Sequence, residues 1–262
     1  MTASDRCTRA LSFGAIAEDY DRFRPGPPVE ALEWILPPQH EAAVDIGAGT
    51  GALTRLLVGR ARHVVAAEPD RRMAAVLATR VPLATVVSAR AEELPLRGGG
   101  FDAVVGSSMW HWVDAERASV EVARVLRPGG VLGLLWSGPD RSQPWLAELL
   151  SGVRRAQPPA DENPPRHRRV MGLAPEAPFS MPESHIMRWS LTVTPEHLIE
   201  LACTYSGFIV LPEAERNRLR GGLVDAVHDH PALAGRSEIE LPMRCICWRA
   251  VRTEMSRSHV AS

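Results

Sequence analysis

The amino-acid sequence predicts an α/β protein built on a doubly wound, mostly parallel sheet. Five short apolar runs with β-like character alternate with helix-like segments between residues 43 and 136. Strands that alternate with helices imply parallel pairing through right-handed crossovers. The continuously apolar runs indicate a sheet that is covered on both faces. A chain of 262 residues is long enough for one such domain with capping elements.

The predicted elements follow one another in order along the chain. Residues 5–36 have the apolar spacing of a helix, which the sequence RPGPP at 24–28 interrupts because proline ends helices. The predicted strands cover 43–46, 63–67, 84–87, 101–105 and 131–136, and the predicted helices between them cover 51–59, 70–80 and 114–126. We therefore expect residues 43–136 to form most of the central sheet.

The pattern changes beyond residue 136. Residues 154–182 are rich in proline and arginine and have weak periodicity, so they are expected to form a mobile lid or a surface insertion. Periodicity returns in a helix over 195–206, a second helix over 212–228 and a late strand over 239–251. The last ten residues are expected to be frayed.

Charge and cysteine content limit the class of protein. The net charge is −1, so no overall field draws the chain to nucleic acid or to a membrane. No apolar stretch approaches the ~20 residues that span a bilayer, and no secretory signal is visible. The four cysteines, Cys7, Cys203, Cys245 and Cys247, lack zinc or redox spacing. We expect a cytoplasmic monomer or homodimer with reduced thiols, no metal and a small-molecule substrate.

The sequence AVDIGAGTGALTRLL at 43–57 places three glycines between a strand and a helix. Gly47, Gly49 and Gly51 form G-x-G-x-G, which lets a backbone approach a polar ligand closely. With Ala52 the spacing also meets the dinucleotide fingerprint, so the glycines alone leave a nicotinamide dinucleotide open. A nucleoside triphosphate loop is disfavoured because the G-K-[ST] ending is absent.

Two carboxylates bear on the choice of ligand. Asp45 lies two residues before the first glycine, where it would repel a pyrophosphate but tolerate the cationic amino acid end of S-adenosylmethionine. Glu68 ends the second predicted strand, where it can accept hydrogen bonds from ribose hydroxyls of either ligand. Asp45 therefore favours the methyl donor.

A series of motifs resembles the class I S-adenosylmethionine-dependent methyltransferases. The matching segments are VDIGAGTG (44–51), AEPD (67–70), ARAEELPL (89–96), FDAVVGSSMWHW (101–112) and LRPGG (126–130). More weakly, YDRFRPGPP (20–28) and IELPMRCICWRA (239–250) resemble a bacterial subgroup whose best-known relatives methylate small acids such as trans-aconitate. The resemblance implies a seven-stranded Rossmann-like methyltransferase fold with an N-terminal helical cap and a helical or irregular cap inserted after strand 5.

The resemblance also implies how the chain is divided. We expect an N-terminal helical cap (1–40), a donor-binding core (41–140), cap helices over the substrate site (141–235), a strand that completes the sheet (236–252) and a tail (253–262).

The residues that the resemblance assigns to the donor come from the motifs and the N-terminal cap. They are Tyr20, Arg24, Asp45, Gly47, Ala48, Gly49, Gly51, Glu68, Pro69, Met73, Ala91, Glu92 and Ser107. The glycines would pass the methionyl part, Asp45 would lie near the ammonium and Glu68 would hold the ribose. Arg90 stands where relatives often carry an acid, so the adenine contact is expected from backbone or from Glu92.

The segment SSMWHW follows the fourth predicted strand, at the edge where α/β sheets bind ligands. His111 can act there as a general base or substrate contact near neutral pH, or it can simply pack between its tryptophan neighbours. Trp110, Trp112, Trp189 and Tyr205 are expected on the substrate side, with packing in the core as the alternative for Trp110 and Trp112. The cluster Arg166, His167, Arg168 and Arg169 would favour an anionic substrate if it folds over the site, and is otherwise a solvated surface.

These features predict a methyltransferase that uses S-adenosylmethionine, releases S-adenosylhomocysteine and methylates oxygen or nitrogen of a small molecule. One alternative is a protein that binds this donor for a rearrangement or as a sensor. A less favoured alternative is an NAD-dependent oxidoreductase, which Asp45 and the motif series argue against.

Overall fold

Seven strands form one sheet with helices on both faces. The computed structural model describes residues 11–151, 171–231 and 233–254. The strands are β1 (Ala42–Ile46), β2 (His63–Ala67), β3 (Thr85–Val87), β4 (Phe101–Ser107), β5 (Leu126–Pro139), β6 (Glu183–Val193) and β7 (Ile239–Val251). Their order is β3-β2-β1-β4-β5-β7-β6, with β7 antiparallel to both neighbours and the pairs among β1 to β5 parallel. The predicted doubly wound, mostly parallel α/β sheet is confirmed.

Helices connect the strands and add a layer beyond β5. They are α1 (Ala17–Phe23), α2 (Val29–Ile35), α3 (Ala52–Val58), α4 (Arg71–Arg80), α5 (Ala115–Val125), α6 (Pro144–Leu149), α7 (Pro195–Cys203), α8 (Ser206–Ile209) and α9 (Glu213–Asp229). Two 3₁₀ helices, Leu11–Ile16 and Trp110–Trp112, precede α1 and α5. Among the described residues, no helix has the length and apolar character needed to cross a membrane.

The strand order reverses between β1 and β4. The chain moves outward from β1 through β2 to β3, and then returns to place β4 on the other side of β1. Ligands of open α/β sheets bind at such a reversal, beyond the carboxyl ends of the strands. The loops that follow β1 and β4 therefore meet where a ligand is expected.

Apolar side chains fill both faces of the sheet. Ile35 of α2 and Leu57 of α3 are fully buried on one face, and Val122 of α5 is fully buried on the other. A third apolar cluster joins α6 to α9 with β6 and β7, and includes Leu146, Leu198, Phe208, Leu223 and Leu241. The elements beyond β5 thus share a core of their own, while the predicted cap and core boundaries stay predictions.

Strand β6 was not among the elements that the sequence pattern predicts. It lies at the edge of the sheet and pairs only with β7 among the described strands. Its burial alternates: Met187, Trp189, Leu191 and Val193 are half-buried, and the residues between them are exposed. An edge strand with one covered face alternates in this way, and a search for continuous apolar runs passes over it.

Several predicted features fall outside the described residues. They are the start of the helix predicted over 5–36, Cys7, most of the irregular segment with Arg166, His167, Arg168 and Arg169, and the end of the tail. Within the described part, the helix predicted over 195–206 is shorter, because α7 ends at Cys203 and α8 begins at Ser206.

Candidate functional site

The glycine loop after β1 has a backbone that side chains rarely adopt. Gly47, Gly49 and Gly51 have φ of +58°, +58° and +92°. A Cβ on Gly47 would also lie 2.8 Å from Cβ of Met109, in the loop after β4. Gly51 caps α3 through its carbonyl, which accepts a hydrogen bond from the Arg55 amide at 2.9 Å. Glycine is therefore required here for both conformation and close approach.

Two connected cavities open at this edge of the sheet. We call the first the polar cavity; it is lined by Tyr20, Arg24, Pro25, Gly26, Pro27, Asp45, Gly47, Ala48, Gly49, Thr50, Ala52, Leu53, Ser107, Ser108, Ser137, Gly138, Pro139, Leu201 and Tyr205. We call the second the apolar cavity; it is lined by Phe13, Tyr20, Gly47, Gly49, Glu68, Pro69, Met73, Arg90, Ala91, Glu92, Ser107, Ser108, Met109, Trp112 and Val113. The two cavities adjoin each other, because both are lined by Tyr20, Gly47, Gly49, Ser107 and Ser108.

Asp45 is a buried carboxylate at the floor of the polar cavity. Its Oδ2 accepts a hydrogen bond from Thr54 Oγ1 at 2.6 Å, whereas its Oδ1 is buried without a hydrogen-bond partner among the described residues. Burial raises the pKa of Asp45 to about 7, and the nearby Glu68 carboxylate adds to the rise. A buried carboxylate with one unsatisfied oxygen is suited to a cationic ligand group, which would favour its charged form.

Arg24 lies across the same cavity and is held by neutral groups. Its Nε donates to Thr204 Oγ1 at 2.9 Å, and its guanidinium also donates to the Thr204 carbonyl at 3.2 Å. The guanidinium carbon lies 4.2 Å from the ring centroid of Tyr205 and 5.3 Å from that of Tyr20. These contacts fix the side chain without neutralising its charge, so it can pair with an anionic group.

Glu68 lies at the end of β2, between the loop and the apolar cavity. One carboxylate oxygen accepts a hydrogen bond from the Gly49 amide and the other from the Asp70 amide, each at 2.8 Å. Burial raises the pKa of Glu68. Because a carboxylate has about four acceptor positions, Glu68 retains capacity for two ligand hydroxyls.

The apolar cavity has aromatic and thioether walls with one polar rim. Phe13 packs edge-on against Tyr20 and Trp112, with ring centroids 5.6 and 6.2 Å apart. At the rim, Glu92 Oε1 accepts a hydrogen bond from the Asp114 amide at 2.9 Å and forms an ion pair with Arg90. The other carboxylate oxygen, Glu92 Oε2, is buried and has no hydrogen-bond partner among the described residues. A flat aromatic ligand with an exocyclic donor fits these surroundings.

Most of the donor-side residues predicted from the sequence line these cavities. They are Tyr20, Arg24, Asp45, Gly47, Ala48, Gly49, Glu68, Pro69, Met73, Ala91, Glu92 and Ser107. Gly51 lines neither cavity and serves the turn into α3. On the predicted substrate side, Trp112 and Tyr205 also line a cavity.

Two predicted substrate-side tryptophans are not brought to the cavities. Trp110 is buried, and its indole N–H donates to the Met171 carbonyl at 2.6 Å. Its apolar ring packs into the core beside α5, which satisfies it better than a polar crevice. Trp189 lies on β6 opposite Met243 and packs against the core of the elements beyond β5. Trp110 thus packs in the core and does not face the site, whereas the substrate-side role of Trp189 stays a prediction.

His111 lies beside the site but lines neither cavity. Its ring is tilted against Trp112 with centroids 4.5 Å apart, and part of the side chain is exposed. Desolvation by the surrounding protein lowers the pKa of the imidazole to about 4. The ring is therefore neutral at pH 7, and its role as a base or substrate contact stays a prediction.

Sequence reasoning missed Phe13, Ser108, Met109 and Ser137. Ser108 has φ of +55°, a conformation rare outside glycine, and its amide donates to the Leu135 carbonyl at 2.7 Å. Ser137 lies on β5 and faces the polar cavity, with its hydroxyl buried and unpaired among the described residues. The motif SSMWHW could have pointed to Ser108 and Met109, which lie within it. No local pattern points to Phe13 and Ser137, because tertiary packing brings them to the site.

Comparison with known proteins points to one family. A family model described as a methyltransferase domain matches residues 44–134. An uncharacterized methyltransferase of Mycobacterium tuberculosis is 40% identical over 250 residues, covering 95% of this chain and 99% of that protein. An uncharacterized methyltransferase-like protein of Schizosaccharomyces pombe is 27% identical, covering 88% of this chain and 91% of its own.

Solved structures share the fold. A candidate type II methyltransferase from Anaeromyxobacter dehalogenans superposes with a TM-score of 0.61 at 24% identity, covering 88% of this chain and 98% of that one. At this identity the likeness concerns the arrangement of the sheet and helices.

Proposed function

We propose that this chain, which belongs to the class I S-adenosylmethionine-dependent methyltransferases, transfers the methyl group to an oxygen or nitrogen atom of a small molecule. The observation that supports the donor part of the proposal is the pair of adjoining cavities. Arg24 and Asp45 face one polar cavity, and Glu68 and aromatic side chains line the adjoining apolar one. A ligand with a zwitterionic end and a nucleoside end matches both.

The polar cavity would hold the amino acid end of the donor. The unpaired Oδ1 of Asp45 suits an ammonium group, and the Arg24 guanidinium suits a carboxylate. Gly47 and Gly49 let the backbone pass close to the ligand because neither has a side chain. These residues bind and orient; they do not take part in bond making.

The apolar cavity would hold the adenosyl end. Glu68 would accept hydrogen bonds from the ribose hydroxyls, and Glu92 Oε2 is available for the adenine amino group. Met73 and Trp112 would cover the faces of the base. Arg90 stands where relatives often carry the acidic residue that binds the adenine amino group. Glu92 would supply that carboxylate instead.

When bound, the donor supplies an electrophilic methyl group on a sulfonium. The protein then has to align the acceptor with it at about 3 Å and to exclude water, since proximity and orientation carry most of such a rate enhancement. A carboxylate acceptor needs no base, whereas a hydroxyl or ammonium acceptor loses a proton. His111 is our candidate to accept that proton, because its imidazole is neutral at pH 7 and packs against Trp112 of the apolar cavity. Its pKa of about 4 makes it a weak base, so this role requires the bound substrate to raise the pKa toward neutrality.

A methyl-transfer assay with acceptor classes tests the proposal. The wild type is incubated with isotopically methyl-labelled S-adenosylmethionine and separate pools of small carboxylic acids, phenols, amines, transfer RNA and protein. We expect a labelled small-molecule product, heavier by one methyl group, with one equivalent of S-adenosylhomocysteine. Label found only in RNA or protein would contradict the small-molecule assignment. Donor turnover with no methylated product would favour a non-methylating activity.

A further inference from the structure

The 3₁₀ helix Leu11–Ile16 forms part of the wall of the apolar cavity. Phe13 lines the cavity and contacts Trp112 from the opposite wall. Behind it, Ala17 and Tyr20 pack with Met73 and Val76 of α4 in a small apolar cluster. This segment, which precedes the sheet, is therefore docked against the same helix that follows Glu68.

Gly14 sits at the closest point of this contact. It is buried, and a Cβ built on it would overlap both carboxylate oxygens of Asp70, Oδ2 most closely, and would lie 2.5 Å from Nε of Arg72. Real Cβ atoms are essentially never found below 3.0 Å from a neighbour. The φ of Gly14 lies outside the left-handed region, so an alanine would meet steric conflict without backbone strain.

Of the two side chains against Gly14, the Arg72 guanidinium is more than half exposed and can move, whereas the Asp70 carboxylate is held in place. Asp70 is buried, caps α4 by accepting from the Arg72 amide at 2.8 Å and holds the Arg72 guanidinium at 2.8 Å. The Asp70 amide in turn donates to Glu68 Oε1 at 2.8 Å. Gly14 therefore packs against Asp70, the residue whose amide supports the Glu68 carboxylate.

We infer that Gly14 is a positioning residue for donor binding: its missing side chain lets residues 11–16 dock on the Asp70–Arg72 pair and holds Phe13 over the apolar cavity. The inference rests on the proposed donor site. A side chain at position 14 pushes the segment outward, and the adenosyl end loses the Phe13 wall while Glu68 keeps its own contacts.

The first test compares Gly14→Ala with the wild type in the full-length protein. We expect the Kd for S-adenosylhomocysteine to rise at least about fivefold through faster dissociation, because overpacking of this kind is costly. The thermal midpoint should also fall, because the new side chain meets the buried Asp70 carboxylate that caps α4, so Kd is measured well below the melting range of both proteins. Gly100→Ala is the matched control, since its Cβ would meet ordinary contact only, at 3.6 Å from the Arg97 carbonyl.

A rescue variant separates steric positioning from general damage. Asp70→Ser keeps a capping oxygen for α4 but shortens the side chain that faces Gly14. We expect Gly14→Ala to weaken binding strongly in the wild-type background and little in the Asp70→Ser background. Equal Kd values for Gly14→Ala and wild type, or equal weakening in both backgrounds, would overturn the inference. If the wild type itself fails to bind, the donor site is wrong and the proposed function falls first.

Discussion

The Thr54 hydroxyl donates to Asp45 Oδ2 at 2.6 Å, while Asp45 Oδ1 is buried without a hydrogen-bond partner among the described residues. This bond favours the charged form of a carboxylate whose pKa burial raises to about 7. Asp45 therefore changes between its neutral and charged forms near neutral pH. The fraction in the charged form should decide how well the cavity binds a cation.

Thr54→Val should make donor binding more dependent on pH. Loss of the hydroxyl raises the pKa of Asp45 above its present value, so less of the carboxylate is charged at pH 7. The affinity for S-adenosylhomocysteine should fall at pH 6–7 and recover at pH 8. Calorimetry across this range measures the shift. Thr54→Ser keeps the donor and should follow the wild type; identical pH profiles for Thr54→Val and wild type would contradict the role of this bond.

Asp45→Asn should stabilise the protein above pH 7 while weakening donor binding. The folded-state pKa of Asp45, about 7, lies above the ordinary value of 3.8. The folded state therefore binds the proton more tightly, and Asp45 lowers the free energy of unfolding as pH rises from about 4 to 7. Removing the charge should recover about 1–2 kcal/mol at pH 8, measured by urea unfolding at pH 5 and pH 8. A variant no more stable than wild type at pH 8 would argue against this account.

Arg24→Ala should weaken the binding of S-adenosylhomocysteine by about tenfold or more, because an ionic hydrogen-bonded contact to the carboxylate is lost. Arg24→Lys should recover only part of the affinity, since an ammonium cannot stack on Tyr205 as a guanidinium does. Arg22→Ala is the control, because Arg22 is exposed and lies in the last turn of α1, just before Arg24. Equal effects of Arg22→Ala and Arg24→Ala would show that the loss is only long-range charge.

Substitution of Trp110 should affect mainly stability, and substitution of Trp112 mainly donor binding. Trp110→Phe removes the indole donor and leaves the buried Met171 carbonyl unpaired, so it should cost about 1–3 kcal/mol of unfolding free energy with unchanged donor affinity. Trp112→Ala should weaken donor binding several-fold with a smaller stability loss, because Trp112 lines the apolar cavity. Chemical unfolding and calorimetry on both variants provide the comparison, and the reverse pattern would refute the assignment.

Local sequence signals were sufficient where one segment determines the geometry. Gly47 and Gly49 stand where the loop needs a left-handed backbone, so the glycine spacing predicts the loop. Asp45 and Glu68 lie at the ends of apolar runs, so their positions predict two carboxylates beside that loop. Trp110 and Trp112 are two residues apart on a 3₁₀ helix, and packing against the Met171 carbonyl decides which one turns inward.

Other site residues depend on contacts between distant parts of the chain. Phe13 reaches the site because Gly14 can dock on Asp70, and Ser137 reaches it because β5 pairs with β4. No local pattern carries such information. Thr204 likewise holds Arg24 across 180 positions of sequence.

Calorimetry shows whether these cavities bind S-adenosylmethionine or a nicotinamide dinucleotide. Wild type, Glu68→Ala and the exposed control Glu93→Ala are titrated with S-adenosylhomocysteine, the product of the donor, and separately with NADH. We expect S-adenosylhomocysteine to bind to wild type and Glu93→Ala but not to Glu68→Ala, and NADH to bind to none of them. Binding of NADH without binding of S-adenosylhomocysteine, or full affinity in Glu68→Ala, would rule out this donor site.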